Sequence, residues 1–397
     1  MTDIDRRSFL GGAAGAGALA ALAGPAAALA AAPAAAPAAA PAAAPAAQDA
    51  GALAAQPLKA HAERAGLVYG SCGSTPRLFR DDDFAAQFVR ECGMLVPEGE
   101  MKWTVIEREE GRLDYSGPDE LLAWCGRNGL RMRGHHLVQG HSQPDWVERI
   151  KDPRRLRDAI ERHVTRTAGR YAGRLHSWDV VNEAFHTERW ARTPEGFRKG
   201  GHHAVLGPEY MDIAFDAARR ADPATPLAIN ENRFEHKENG AEEKRAIVLK
   251  ALRDMKRRGV PVDALGVQAH IWARWPIDAE GLHRFLSEVA NLGLKVYVTE
   301  LDVSERDVSA TAIPERDRLI ADQTRRFLDT VLRVPAVEAV LTWGLTDRYS
   351  LLNSTRRNEF RQREDDLPSR GLPLDDQLRR KPMWTAMAAA FAARRGA

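Results

Sequence analysis

Short apolar runs alternate with longer amphipathic stretches along most of the chain. The apolar runs begin at Gly66 (GLVYGSC), Met94 (MLVPEGE), Leu130 (LRMRGHHLV), Ser177 (SWDVVNE), Pro226 (PLAINEN), Ala264 (ALGVQAHI), Leu294 (LKVYVTELDV) and Val337 (VEAVLTWGLTD). Their length and aliphatic content predict buried strands. Between them, stretches such as DDFAAQFVRECG, PDELLAWCGRNG and AEEKRAIVLKALRDMKRRG are amphipathic at helical spacing. Several close on Gly just before the next strand, as a helix C-terminus does. Eight successive strand–helix units predict the α/β class and a (β/α)8 TIM barrel in a single domain. An open doubly wound sheet is the competing pattern. However, GSCGSTP after the first strand lacks the G-x-G-x-x-G spacing, and no P-loop occurs in the chain.

The first part of the chain breaks this pattern. DRRSFLGG carries the pair Arg6 and Arg7, followed by an Ala/Gly/Leu stretch and the small-residue site Ala28 to Ala30. This resembles a twin-arginine export signal over residues 1–31. Residues 32–55 are Ala/Pro-rich with Pro at every fourth place, which forbids a stable helix and predicts an extended linker. The barrel domain is expected over 56–397, periplasmic or secreted. The signal's weak hydrophobicity disfavours retention in lipid, so no membrane partner is expected for the mature form.

Composition changes little in this picture. A net charge of +2 offers no electrostatic case for nucleic acid. Cys72, Cys92 and Cys125 are odd in number and widely spaced. That excludes a disulfide framework and a zinc pattern, and buried thiols are expected, with one disulfide still open.

In a barrel, functional groups come from the C-terminal strand ends. Here those ends carry Glu98, Glu100 and Lys102; His135 and His136; Asn182 and Glu183; Asn230, Glu231 and Asn232; Gln268 and His270; Glu300 and Asp302; Trp343 and Asp347. So many carboxylates at one rim cost stability unless Lys102 and the histidines offset them, which argues for function. A dinuclear metal hydrolase stays open, although its H-x-H on the first strand is missing. No cofactor and no metal are expected. His135 and His136 are adjacent strand residues and should face opposite ways, so at most one enters the pocket. Two carboxylates across one pocket suit glycoside hydrolysis, and Trp343 suits stacking on a sugar ring.

WDVVNEA, GVQAH and VYVTELDV together resemble the glycoside hydrolase family 10 endo-β-1,4-xylanases. LVPEGEMKW, RGHHLV, PDWV, LGPEYMDIAFDAARRADP, LTWGLTDRYS and GLPLDDQLRRKPMW extend the likeness from Gly66 to the C-terminus. The resemblance implies Glu183 as general acid/base and Glu300 as nucleophile. Asn182 would bond the sugar 2-hydroxyl, while His270 and Asp302 would orient the nucleophile. Gln268 would contact nucleophile or sugar. Glu98, Lys102, His135 and Trp343 would line the sugar subsites. The implied substrate is xylan or a related polysaccharide or oligosaccharide, taken by a monomer through a covalent intermediate. The acid would need a raised pKa, supplied by desolvation or by nearby Glu300. A retaining mechanism requires the two carboxyl groups to stand about 5–5.5 Å apart.

Four positions depart from the family pattern. Gly99 stands in place of Asn, Gln139 and Leu351 in place of Trp, and Asn232 in place of Tyr. Each lost stacking face costs about 0.5–1.5 kcal/mol by analogy with aromatic pairs. A decorated xylan or another β-linked glycan is therefore an alternative substrate, and a non-catalytic carbohydrate-binding barrel an alternative function. Trp124, Trp146 and Trp384 are expected to pack, and His202 and His203 to be solvated. The charge run from Arg356 is expected to form a solvated loop over the barrel top.

Overall fold

The computed structural model describes residues 53–354 and 361–394. The expected signal and nearly all of the linker lie outside them. All the strands run parallel: β1 (Val68–Gly73), β2 (Met94–Pro97), β3 (Arg131–Met132), β4 (Gly134–Gln139), β5 (Trp178–Asn182), β6 (Leu227–Glu231), β7 (Ala264–Val267), β8 (His270–Trp272), β9 (Lys295–Ser304) and β10 (Val337–Thr342).

Ten strands make eight staves. β3 and β4 are one stave interrupted at Arg133, and β8 resumes the line of β7 beyond Gln268 and Ala269. The hydrogen-bonded order β3-β2-β1-β10-β9-β7-β6-β5-β4 begins and ends on the two halves of the third stave. The ring therefore closes there. On one side Arg133 N donates to Leu95 O, and on the other His176 N donates to Met132 O and Gly134 N to Ser177 O. This is the (β/α)8 barrel that the alternation predicted.

The strands are apolar on both faces because each face is covered. Inside the barrel, Met94, Val96, Ala228, Ala264, Tyr297, Ala339 and Leu341 pack beneath Trp343. Outside, the helices bury the other face: Phe84 and Phe88 from Asp82–Glu91, Phe285 and Leu286 from Ala279–Asn291, Phe327 and Leu328 from Ile313–Val331. Asp81, Asp152 and Asp278 cap the helices Asp82–Glu91, Pro153–Arg170 and Ala279–Asn291, accepting from Phe84 N, Arg155 N and Gly281 N. Buried Glu91 ties the helices Leu58–Arg64 and Pro382–Arg394 to the barrel base. It accepts from Leu58 N at 2.9 Å, Trp384 Nε1 at 3.0 Å and the Arg380 guanidinium. Trp124, Trp146 and Trp384 are buried, as expected. Cys72, Cys92 and Cys125 are buried free thiols, so the disulfide left open does not form.

Three residues at the rim share one backbone feature. Glu183 and Arg233, just past strand ends, and Ala269, between β7 and β8, adopt positive φ of 54°, 66° and 62°. A left-handed residue costs about 1–2 kcal/mol, so three at one rim mark a place where geometry is imposed by the surroundings.

Candidate active site

A backbone ladder continues around the C-terminal rim past the ends of the regular strands. Gly140 N donates to Asn182 O, Glu183 N to Asn230 O, Gln268 N to Glu231 O, and Glu300 N to Gln268 O. This ladder carries Glu183 on the fourth stave and Glu300 on the seventh. Gly140 is required at its start: a Cβ there would lie 2.1 Å from the Glu183 carbonyl oxygen.

Around Glu300 the side chains form a closed relay. Asn230 Nδ2 donates to Glu300 Oε1 at 2.7 Å, and Thr299 Oγ1 orients Asn230 by donating to its Oδ1. His270 Nε2 lies 3.2 Å from the other Glu300 oxygen, and its Nδ1 lies 2.9 Å from Asp302 Oδ1. Arg361 then closes on Asp302 with both terminal nitrogens, at 3.0 and 2.5 Å. Burial alone would push the His270 imidazole down. Asp302 outweighs it and holds the ring protonated, at about 9. Burial would likewise raise the Asp302 carboxyl, but Arg361 and His270 bring it to about 2. Glu300 thus faces a positive imidazolium braced by an anion that is itself braced by a guanidinium.

Glu183 has different neighbours. Gln268 Nε2 donates to its Oε1 at 3.2 Å; His141 Nδ1 and Arg198 Nη2 lie 3.4 and 3.5 Å from its Oε2. Burial pushes the carboxyl up, yet His141 and Arg198, helped by the Gln268 amide, outweigh it and hold the group below its ordinary value. This overturns the expectation of a raised pKa. The reason is tertiary: the Arg198 guanidinium and the His141 ring, carried by separate loops, both meet the carboxylate.

A chain of amides joins the two carboxylates. Gln268 Nε2 reaches both Glu183 and Asn182 Oδ1, and Asn230 Nδ2 reaches both Asn182 Oδ1 and Glu300. Gln268 therefore meets Glu183 through its side chain and Glu300 only through its backbone. Asn182 Nδ2 donates to Gln139 Oε1 at 3.1 Å, so the residue standing in place of Trp is an anchor for Asn182.

Other expected groups fall at the same rim. His135 Nδ1 bonds Asp179 at 3.0 Å, and its ring meets Trp343 edge to face at 5.3 Å. Glu98 is paired with Arg77, and burial, the largest influence, raises its pKa. The charge of Lys102 acts on Glu98, His136 and His141. Leu351 packs against the cluster that holds Trp343, and a Cβ on Gly99 would meet nothing within 4 Å.

Several expectations fail here. The His135 and His136 rings do not face opposite ways but meet at 4.8 Å, across a peptide bond that is cis rather than the trans bond of a regular strand. His202 is buried, its ring parallel to Trp103, and His203 stacks on Phe197. Asp347 is held in an ion pair with Lys381 at 2.6 Å. Residues 355–360 of the charge run lie outside the described residues, but Arg361 and Arg363 turn inward, the latter to Asp365 and the Glu305 carbonyl. Arg361, Arg198 and His141 are the site groups that sequence reasoning missed. Only Arg361 had a signal, its place in a charge run beside no recognisable motif.

The sequence profile described as "Glycosyl hydrolase family 10" matches residues 57–390. The chain belongs to glycosyl hydrolase family 10. It is 33% identical over 307 residues to "Endo-1,4-beta-xylanase 5" of Pyricularia oryzae, a match covering 76% of this chain and 72% of that protein. "Endo-1,4-beta-xylanase 3" of Hypocrea jecorina is 30% identical over 306 residues, covering 76% and 80%. Among solved structures, native xylanase 10B from Thermotoga maritima superposes with a TM-score of 0.75 at 27% identity, covering 86% of this chain and 99% of that one. Xylanase 10B from Thermotoga petrophila RKU-1 in complex with xylobiose gives 0.75 at 26% identity, covering 85% and 98%. This family 10 member is a glycoside hydrolase.

Proposed function

We propose that this family 10 enzyme cleaves internal bonds of β-1,4-xylan and xylo-oligosaccharides by double displacement. The observation that carries the reading is the amide chain Gln268–Asn182–Asn230, which joins Glu183 to Glu300 at one barrel mouth. Xylanase relatives support the substrate class.

Glu300 is the nucleophile. It must be ionised and fixed, and the His270–Asp302 pair supports both. It attacks the anomeric carbon while Glu183 gives its proton to the departing oxygen. Glycosylation removes the Glu300 charge, and Glu183 then takes a proton from water, which attacks the intermediate. A carboxyl held low by His141 and Arg198 suits an ionised base poorly matched to the preceding acid step. The acid step therefore draws on a protonated fraction that grows as pH falls. Asn182 spends one amide hydrogen on Gln139, leaving one for the sugar 2-hydroxyl. Glu98, Lys102, His135 and Trp343 line the subsites beside the cleaved bond. The enzyme works as an exported monomer, by the twin-arginine route that Arg6 and Arg7 mark.

A decorated xylan is the second reading. It is favoured by the open space at Gly99 and by Leu351, an aliphatic side chain, beside Trp343. Product analysis on plain and substituted xylans, xylo-oligosaccharides and other β-glycans separates the two. Glu183→Ala and Glu300→Ala run beside wild type. Loss of sugar release by Glu300→Ala is expected; release equal to wild type rejects the nucleophile. On an aryl xylobioside whose leaving group needs no proton, azide added to Glu183→Ala should speed breakdown of the glycosyl-enzyme and give the β-glycosyl azide, with retained configuration.

A further inference from the structure

Immediately after Glu183 the chain leaves the barrel in a short antiparallel ribbon. His186 N donates to Gly196 O at 3.1 Å and Arg198 N to Ala184 O at 2.8 Å. Phe185 and Phe197 pair across it, their rings 5.0 Å apart. Arg192 pins the tip from inside, donating to the carbonyls of Thr187, Thr193 and Pro194. The far strand returns to its origin, where Arg198 Nε donates to the Glu183 carbonyl at 3.1 Å. At the tip stands Trp190, 78% exposed, the most exposed large apolar side chain among the described residues. Its ring meets that of His186 at 6.1 Å, and His186 in turn feels the charges of Arg198 and Glu183.

We propose that Trp190 is a sugar-stacking platform for the leaving-group side of the bound chain, beyond the sugar that Glu183 protonates. The inference rests on the glycosidase reading of the site. An acid that protonates the departing oxygen lies against the leaving sugar, so the surface that Glu183 and its ribbon present outward belongs to that side. An isolated exposed Trp is ordinary on a protein surface. This one sits on a hydrogen-bonded ribbon whose two ends both touch Glu183, so its position is set before any ligand arrives. A preformed ring costs little ordering on binding. The occupant is a β-linked pyranose, whose flat C–H face matches an indole while its hydroxyls stay in water. Binding energy from such a remote sugar can be drawn on at the reacting centre, so the platform favours long chains over short ones.

The test compares wild type, Trp190→Ala and Trp190→Phe on xylohexaose and on p-nitrophenyl β-xylobioside, whose leaving group is too short to reach the ribbon. The readout is the ratio of the two kcat/KM values. Trp190→Ala should lower that ratio roughly two- to tenfold, with part recovered in Trp190→Phe. An unchanged ratio overturns the platform. Calorimetric titration of Glu300→Ala, with and without Trp190→Ala, against xylohexaose and cellohexaose reads binding apart from turnover. Equal affinities overturn the platform whatever the turnover shows, and no binding of either hexaose overturns it as well. Wild type that binds a hexaose but releases no sugar overturns the proposed function and leaves the platform to the titration. Self-association lost in Trp190→Ala with sugar affinity unchanged would assign the ring to a dimer contact and reject the proposal.

Discussion

Arg198 holds Glu183 at both ends: its Nε donates to the Glu183 carbonyl at 3.1 Å, and its Nη2 lies 3.5 Å from the carboxylate. The backbone contact steadies a residue at positive φ, and the charge contact lowers the pKa of the proposed acid. Arg198→Gln removes the charge while keeping a donor for the carbonyl. The Glu183 carboxyl should rise, because burial then meets less opposition. The alkaline limb of kcat/KM on xylo-oligosaccharides, which reports the acid of the free enzyme, should move to higher pH. A limb that stays put or moves down would show that Arg198 does not set it.

His270 offers a separate pH signature. A 2,4-dinitrophenyl xylobioside needs no proton from Glu183, so its alkaline limb is free of that group. The imidazole, held up at about 9, is charged below that pH and neutral above it. The charge on Glu300 loses its partner as pH rises through 9, and kcat/KM for this substrate should fall there. Asp302→Asn takes away the anion that holds the proton on His270, so the limb should shift toward neutral pH.

Arg361 touches Asp302 and not the two carboxylates proposed as catalytic, so it is a positioning residue. Arg361→Gln should lower kcat more than it raises KM, by about ten- to a hundredfold, as small misplacements of reacting groups do. Arg361→Lys, which keeps the charge without the fork, should recover part of this. The rate of inactivation by a 2-deoxy-2-fluoro xylobioside, which follows nucleophile attack, should fall in parallel.

Gln139 anchors Asn182 by a single hydrogen bond. Gln139→Ala should weaken kcat/KM about fivefold, the equivalent of about 1 kcal/mol. The loss should be largest on substrates that keep the 2-hydroxyl and shrink on 2-deoxy analogues, since the amide acts through that group.

Under Glu183 lies the buried pair Lys244 and Glu231, 2.5 Å apart, with Lys244 Nζ also donating to Phe185 O. Lys244→Met leaves a carboxylate alone in the interior and should cost roughly 3–5 kcal/mol of folding stability. Adding Glu231→Gln should recover much of it. Denaturant unfolding of the two variants checks both signs.

The strand pattern announced the staves from Val68 to Thr342 because a parallel strand buried on both faces is apolar along its whole length. Glu183, Glu300, His270 and Asp302 stood out as rim groups for a related reason: a polar residue at the end of such a strand breaks a local pattern, and in a barrel strand ends converge. Only the likeness to family 10 singled them out from the other rim groups, such as Glu98 and Glu231. The closure of the ring through the third stave, broken at Arg133, left no such mark.

By itself, then, the sequence determined the barrel and the groups at its rim, Glu183 and Glu300 among them, since each follows from residues close along the chain. Only the tertiary structure decided how that pair is charged. Arg198 meets Glu183 across a ribbon, His141 reaches it from the neighbouring stave's loop, and Arg361 meets Asp302 from 59 positions away. Coulomb energy depends on distance in space and on burial, neither of which a strand's residue pattern encodes.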